Sequence, residues 1–180
     1  MRIFYYFKHI ALFMSCLLSL SVLTAQAGDR LLGTGGVSQI EGAGGGGLTP
    51  WALIAGYGTD AQLGGAAFFT RAKTGDDFEL NTGGIAVGFY NRLELSLSQT
   101  KFELGSTVPK ESIRLNTLGI KLRVFGDAIY DQDSWVPQVS VGAMVKHNED
   151  FDLVPKLLGA KDSTGVDYYL AASKLYLDAV

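Results

Sequence analysis

The residues with the clearest chemical potential are a glycine triplet, two acidic connections, one histidine and four isolated charges. Gly42, Gly44 and Gly47 have the G-x-G-x-x-G spacing with which a strand-to-helix turn cradles phosphate. Thr49-Pro50-Trp51 follows where a helix should begin, and no Lys-Ser or Lys-Thr pair completes a P-loop there. In a glycine-rich run the match arises from composition, so the expectation is a flexible lead-in or a bend lining a lumen. Asp127, Asp131 and Asp133 in one connection, and Glu149, Asp150 and Asp152 in another, offer hard oxygen donors to Ca²⁺ or Mg²⁺. Their spacing fits no calcium loop, so they are expected as solvated acidic connections and no metal site is assigned. His147 could serve as a general base only with a nucleophile within reach and a group to orient it. No G-x-S-x-G elbow marks an activated serine. No catalytic residue and no cofactor follow, and the chain is not expected to be an enzyme. Glu94, Lys121, Arg123 and Lys146 are scattered among small residues. Facing a lumen, they could bias ion passage, or pair with one another and plug a narrow barrel.

The elements that must carry these residues read as strands. Leu93-Glu94-Leu95-Ser96-Leu97-Ser98 alternates with period two, three leucines on one face and Glu94, Ser96 and Ser98 on the other. Ile85, Val87 and Phe89 alternate with Gly84, Ala86 and Gly88, and Tyr90-Asn91-Arg92 supplies a tight turn between the two runs. Leu118, Ile120, Leu122 and Val124 alternate with Gly119, Lys121 and Arg123; Val139, Val141, Ala143 and Val145 alternate with Ser140, Gly142, Met144 and Lys146. Weaker strands are expected over 51–58 and 63–72. In 166–176 an apolar face of Tyr168, Leu170 and Ala172 would include Lys174 unless a bulge intervenes. The class is all-β, an antiparallel meander of about seven or eight strands.

Such alternation suits a soluble sandwich with its apolar face inside, or a membrane barrel with that face turned to lipid. The second face is largely Gly, Ala and Ser with few charges, which suits a crowded barrel interior. Aromatics near predicted strand ends (Trp51, Tyr57, Phe89, Tyr90, Phe102, Phe125, Trp135 and Tyr168) suit a bilayer interface, yet a sandwich core could distribute them similarly. If a short strand near 37–42 comes first, the long connections 103–113 and 147–165 lie outside, and 59–62 and 90–92 are periplasmic turns. If strand one starts at Trp51, the ends exchange.

Upstream, Arg2 and Lys8 precede an apolar stretch over 10–23 that closes on Ala25-Gln26-Ala27, a secretory signal peptide with an A-x-A site. Cys16, the only cysteine, lies inside it without the approach a lipidated cysteine requires, so the mature chain from Gly28 has no thiol for a disulfide or a metal. The signal contains two of the 15 Lys and Arg, leaving 13 cations against 18 anions, a formal charge of −5. Nucleic acid is thereby excluded as an expected partner. The organisation expected is a signal peptide over 1–27, a Gly-rich leader over 28–50 and a barrel domain over 51–180.

The runs Gly28-Asp29-Arg30-Leu31-Leu32, Gln39-Ile40-Glu41-Gly42, and Gly45-Gly46-Gly47-Leu48-Thr49-Pro50-Trp51-Ala52-Leu53-Ile54-Ala55-Gly56-Tyr57-Gly58 resemble the bacterial family known as domain of unknown function 3034. Leu104-Gly105-Ser106-Thr107-Val108-Pro109, Phe125-Gly126-Asp127-Ala128, Tyr130-Asp131-Gln132-Asp133-Ser134-Trp135 and Leu158-Gly159-Ala160-Lys161-Asp162 extend the resemblance over nearly the whole mature chain. It implies an outer-membrane β-barrel in contact with outer-membrane lipid, and it brings no catalytic residues. Related chains run on through further strands to a terminal aromatic, whereas this one stops at Leu177-Asp178-Ala179-Val180, so a C-terminally truncated member with an incomplete barrel is expected. Its role would be porin-like passage of small solutes, or a structural or surface-interaction barrel with a filled interior, with an outer-membrane enzyme third.

Overall fold

The computed structural model describes residues 38–75, 77–105, 111–131, 133–152 and 154–176. The expected signal peptide with Cys16, the first ten leader residues and the last four residues lie outside them. Two-residue strands β1 (Gly45–Gly46) and β2 (Thr49–Pro50) pair with each other near the start. Six long strands follow, β3 (Leu63–Lys73), β4 (Glu79–Phe89), β5 (Leu93–Glu103), β6 (Ser112–Phe125), β7 (Gln138–Asn148) and β8 (Thr164–Ser173). They form one antiparallel sheet in sequence order, with β3 and β8 at its edges. A single helical turn, α1 (Val154–Leu157), sits in the β7–β8 connection.

The all-β, antiparallel expectation therefore holds, with differences at the ends. Strands β4, β5 and β6 extend beyond the segments whose alternation is clear, because their outer portions replace leucine and valine with polar pairs that still satisfy the ladder. Residues 51–58 form no strand. A 3-10 turn at Ala55–Tyr57 stands there, with Gly56 at φ 77°, a conformation glycine adopts without strain. Near 37–42 the described residues show only isolated bridges, Ser38 to Gly44 and Gln39 to Gly47. The bulge lies in β6, between Arg123 and Phe125, rather than in β8. Strand β8 ends at Ser173, and the Lys174 ammonium turns back to the carbonyls of Asp127 and Asp131, which removes the conflict on the apolar face. The β4–β5 turn is tight as expected, with Tyr90 and Asn91 both at positive φ (53° and 51°) and the Arg92 amide donating to the Phe89 carbonyl at 3.0 Å.

Register sorts the side chains into rows. One face carries Leu63, Phe89, Leu93, Leu122, Val141 and Leu170 in register; the next row runs Gly65, Val87, Leu95, Ile120, Ala143 and Tyr168. A third holds Ala67, Ile85, Leu97, Leu118, Val145 and Val166. Most of their large side chains are exposed, including Leu97 at 54% and Leu170 at 72%. Tyr168 stands midway along edge strand β8, in the second row, rather than at a strand end, and Phe102 stacks on Phe78 with ring centroids 5.8 Å apart.

Residues 38–62 lie against the opposite face. Ala52 donates its amide to the Ser173 hydroxyl at the end of β8, and Gly56 abuts the Gly64–Gly65 backbone of β3. In a flat sheet, five interstrand steps of about 4.8 Å would put β3 about 24 Å from β8. The four residue-to-residue steps from Ala52 to Gly56 reach at most about 14 Å. The sheet must therefore curl around this segment.

Candidate functional site

The polar side chains of the inner face converge on residues 38–58, so the leader that occupies this face runs past residue 50 to residue 58. Glu94 on β5 and Lys121 on β6 are direct cross-strand partners, and both are buried to 1% exposure. In their row stand Gly64, Gly88, Gly142 and Tyr169, so glycine clears space on either side of the charges. The Glu94 carboxylate accepts the Gly44 amide at 2.9 Å and the Ala55 amide at 2.7 Å. Lys121 Nζ donates to Glu94 Oε2 at 3.1 Å, to the Gly44 carbonyl at 2.8 Å and to the Leu53 carbonyl at 2.9 Å. All three ammonium protons are thus placed, which a buried lysine requires to remain charged at tolerable cost.

The rest of the face repeats the pattern. Thr82 donates to the Ile40 carbonyl and Ser98 to the Glu41 carbonyl, each at 2.7 Å. Gln138 and Ser140 both donate to the Ala52 carbonyl at 2.6 Å. Lys146 bridges Glu41 of the leader and Asp167 of β8. Glycines of the sheet let the segment approach the backbone: a Cβ on Gly88 would press on the Ala55 carbonyl and meet Ile54 Cγ2 at 2.7 Å. Small residues on this face therefore make room for a polypeptide.

Of the four charges expected to line a lumen, Glu94, Lys121 and Lys146 are brought together on the leader. Arg123 is not: its guanidinium donates to the Gly126 and Asn91 carbonyls and to Asp127, and so fastens the strand end. Thr82, Ser98, Gln138 and Ser140 were not singled out from sequence. Ser98 stands beside Gly84 and Ser140 beside Ala171, whereas Thr82 is flanked by Thr70 and Thr100 and Gln138 by Ser173, so no single pattern in the sequence marks all four.

The other motifs resolve as structure. Gly42 and Gly47 have positive φ, and the Gly44 amide is spent on Glu94 rather than on a phosphate. Asp127 accepts the amides of Ile129 and Tyr130. Burial raises its proton affinity, but those amides and the nearby Arg123 charge outweigh that and hold the carboxyl below its ordinary range. Asp150 forms a fork with Arg114, whose guanidinium lowers the Asp150 proton affinity, and Asp152 pairs with Lys156. Among the described residues no group of three His, Cys, Asp or Glu is placed to hold a metal. His147 pairs with Thr164 at 2.8 Å and borders a shallow depression of about 450 Å³ on the outward face, away from the leader.

Fold and site together define an antiparallel β-meander whose polar face is occupied by the chain's own N-terminal segment. The sequence profile of the family described as protein of unknown function DUF3034 matches residues 34–180, and the chain belongs to that family. No curated protein and no solved structure matches it. No helix among the described residues is long and apolar enough to cross a membrane, which does not bear on strands.

Proposed function

We propose that this chain is an exported outer-membrane β-barrel protein whose interior is filled by its leader, serving a structural or surface-interaction role. The observation that carries the filled reading is the buried Glu94–Lys121 pair, which grips the main chain at Gly44, Leu53 and Ala55. Solute passage, the other reading, requires these bonds to break and the leader to leave.

Support for lipid contact comes from the outward rows. Between the Phe69 row and the Phe125 row lie about eight residues of strand, roughly 27 Å along the strand or 21 Å of depth at a 40° tilt. An outer-membrane apolar band is about 25 Å tall. Arg71, Lys101 and Arg114 stand one row beyond Phe69 on the same face, where polar headgroups would meet them.

Planar-bilayer recording of the folded protein tests the filled reading, with a silent membrane as the expected result. Discrete channel openings under mild voltage overturn it. Lipid contact is tested separately: mature protein that stays soluble and monomeric without detergent refutes the outward apolar rows as a lipid surface.

A further inference from the structure

Beyond the third apolar row the outward face turns polar within one step of about 7 Å along the strands. Ile85, Leu97, Leu118 and Val145 stand side by side in that apolar row, and Gly83, Gln99, Asn116 and His147 stand in register on the same four strands in the next. The shallow groove of about 450 Å³ lies across this junction and is lined by both rows. Gly83 opens it, because no side chain stands there between Phe69 and Gln99. One wall is therefore hydrocarbon and the other hydrogen-bonding, which is the profile of a lipid at the root of its headgroup.

The polar end is organised. Gln99 Nε2 donates to Asn116 Oδ1 at 2.9 Å, and Asn116 Nδ2 donates to Glu149 Oε1 at 2.6 Å, which holds the Glu149 carboxylate at the rim. Lys101 and Arg114, cross-strand partners, stand one row beyond Gln99 and Asn116. Lys101 pairs with Glu103 at 2.8 Å, and Arg114 with Glu149 at 3.1 Å and Asp150 at 3.0 Å. Surface ion pairs of this kind are weak and exchange partners readily. Two cations stand here against three anions, so the rim gives a purely anionic headgroup no net attraction. A headgroup of both signs finds a partner for each.

We propose that this groove is a lipid site selective for a headgroup carrying both a phosphate and a primary ammonium. The acyl chain lies along Leu97 and Leu118, the phosphate meets the Gln99 amide and Lys101, and the ammonium donates to Glu149. A quaternary ammonium has no proton to give that carboxylate, and a headgroup without a cation sets like charges together. The proposal rests on the lipid-contact reading and adds selectivity to it.

The test is native mass spectrometry of the full chain folded in non-ionic detergent and titrated with phosphatidylethanolamine, phosphatidylcholine or phosphatidylglycerol of identical acyl chains. Phosphatidylethanolamine is expected to bind about tenfold more tightly than either of the others, the worth of one charge-assisted hydrogen bond. Glu149→Gln should bring it level with phosphatidylcholine. Gly83→Leu, whose Cβ would meet the Phe68 carbonyl and Phe69 Cδ2 at 3.4 Å, should fill the groove and weaken phosphatidylethanolamine binding about tenfold with the circular dichroism of the sheet unchanged. Equal binding of the three lipids, preference for phosphatidylglycerol, or selectivity that survives Glu149→Gln each overturns the site. A chain that needs detergent yet selects no lipid overturns this inference alone, whereas one that is soluble without detergent removes the lipid-contact reading beneath it.

Discussion

Replacing Lys121 with methionine removes the cation at the centre of the interior while keeping most of its volume. It leaves the Glu94 carboxylate buried with only the Gly44 and Ala55 amides, and takes the donor from the Gly44 and Leu53 carbonyls. Removing one partner of a buried pair costs about 3–5 kcal/mol, chiefly for the charge left uncompensated. Two amides soften that cost and two orphaned carbonyls add to it, so Lys121→Met is expected near 4 kcal/mol (roughly, from the same range). Glu94→Gln, which strands Lys121 between two carbonyls, is expected near 3 kcal/mol (roughly). The double variant has no unpaired charge and should cost about 4 kcal/mol rather than about 7, a coupling of about 3 kcal/mol. Urea titration in micelles, followed by Trp51 fluorescence in a Trp135→Phe background, reads this directly, because Trp51 is in the leader with its indole over Gly46. Additive single effects, or a Lys121→Met cost below about 1 kcal/mol, would refute the central role given to the pair.

Three further outcomes are expected. Gly88→Val should displace the leader and cost about 1–3 kcal/mol by overpacking, whereas Gly165→Ala, with nothing within 4 Å of the added Cβ, should be near neutral by the same titration. On the outward face, Leu95→Arg in the middle row should impair insertion into lipid vesicles by about 2–4 kcal/mol, and Gln99→Arg beyond the apolar rows by about 0–1 kcal/mol. Asp127 has a depressed proton affinity, so its contribution is complete above the ordinary aspartate value near 3.8 and is lost as pH falls through the lower folded value. Trp135 fluorescence, in the same connection, should report loosening over that acid range, and Asp127→Asn should abolish that acid step.

The sheet was legible because its outward face is written in leucine, isoleucine and valine at period two, and a one-residue slip would bury the wrong set. The turn at Tyr90 and Asn91 was legible for the same local reason. Strand ends were less so: beyond Leu97 the outward positions become Gln99 and Lys101, and beyond Leu118, going backward, Asn116 and Arg114. Polar residues continue a ladder as well as leucine does, but without the pattern that announces it. Residues 51–58 looked extended because Ala and Ile fit a strand, yet Gly56 at positive φ turns them into a 3-10 turn that fits between the sheet glycines. That contact spans residues far apart in sequence, and no local propensity encodes it.

The inner face was ambiguous for a deeper reason. Glu94, Lys121, Thr82, Ser98 and Ser140 are the residue types that hydrate a pore, and they are equally the types that satisfy a buried backbone. What separates the two cases is the partner of each glycine. In a water-filled interior, Gly64 and Gly88 would face solvent and tolerate alanine; here a Cβ on either meets the backbone of the Ala55–Tyr57 turn within 3 Å. Glycines on adjacent strands in one row, opposite a glycine-rich segment upstream, are therefore a signature of chain packed on chain. A lumen charge beside such a row is better read as a backbone anchor than as a selectivity element.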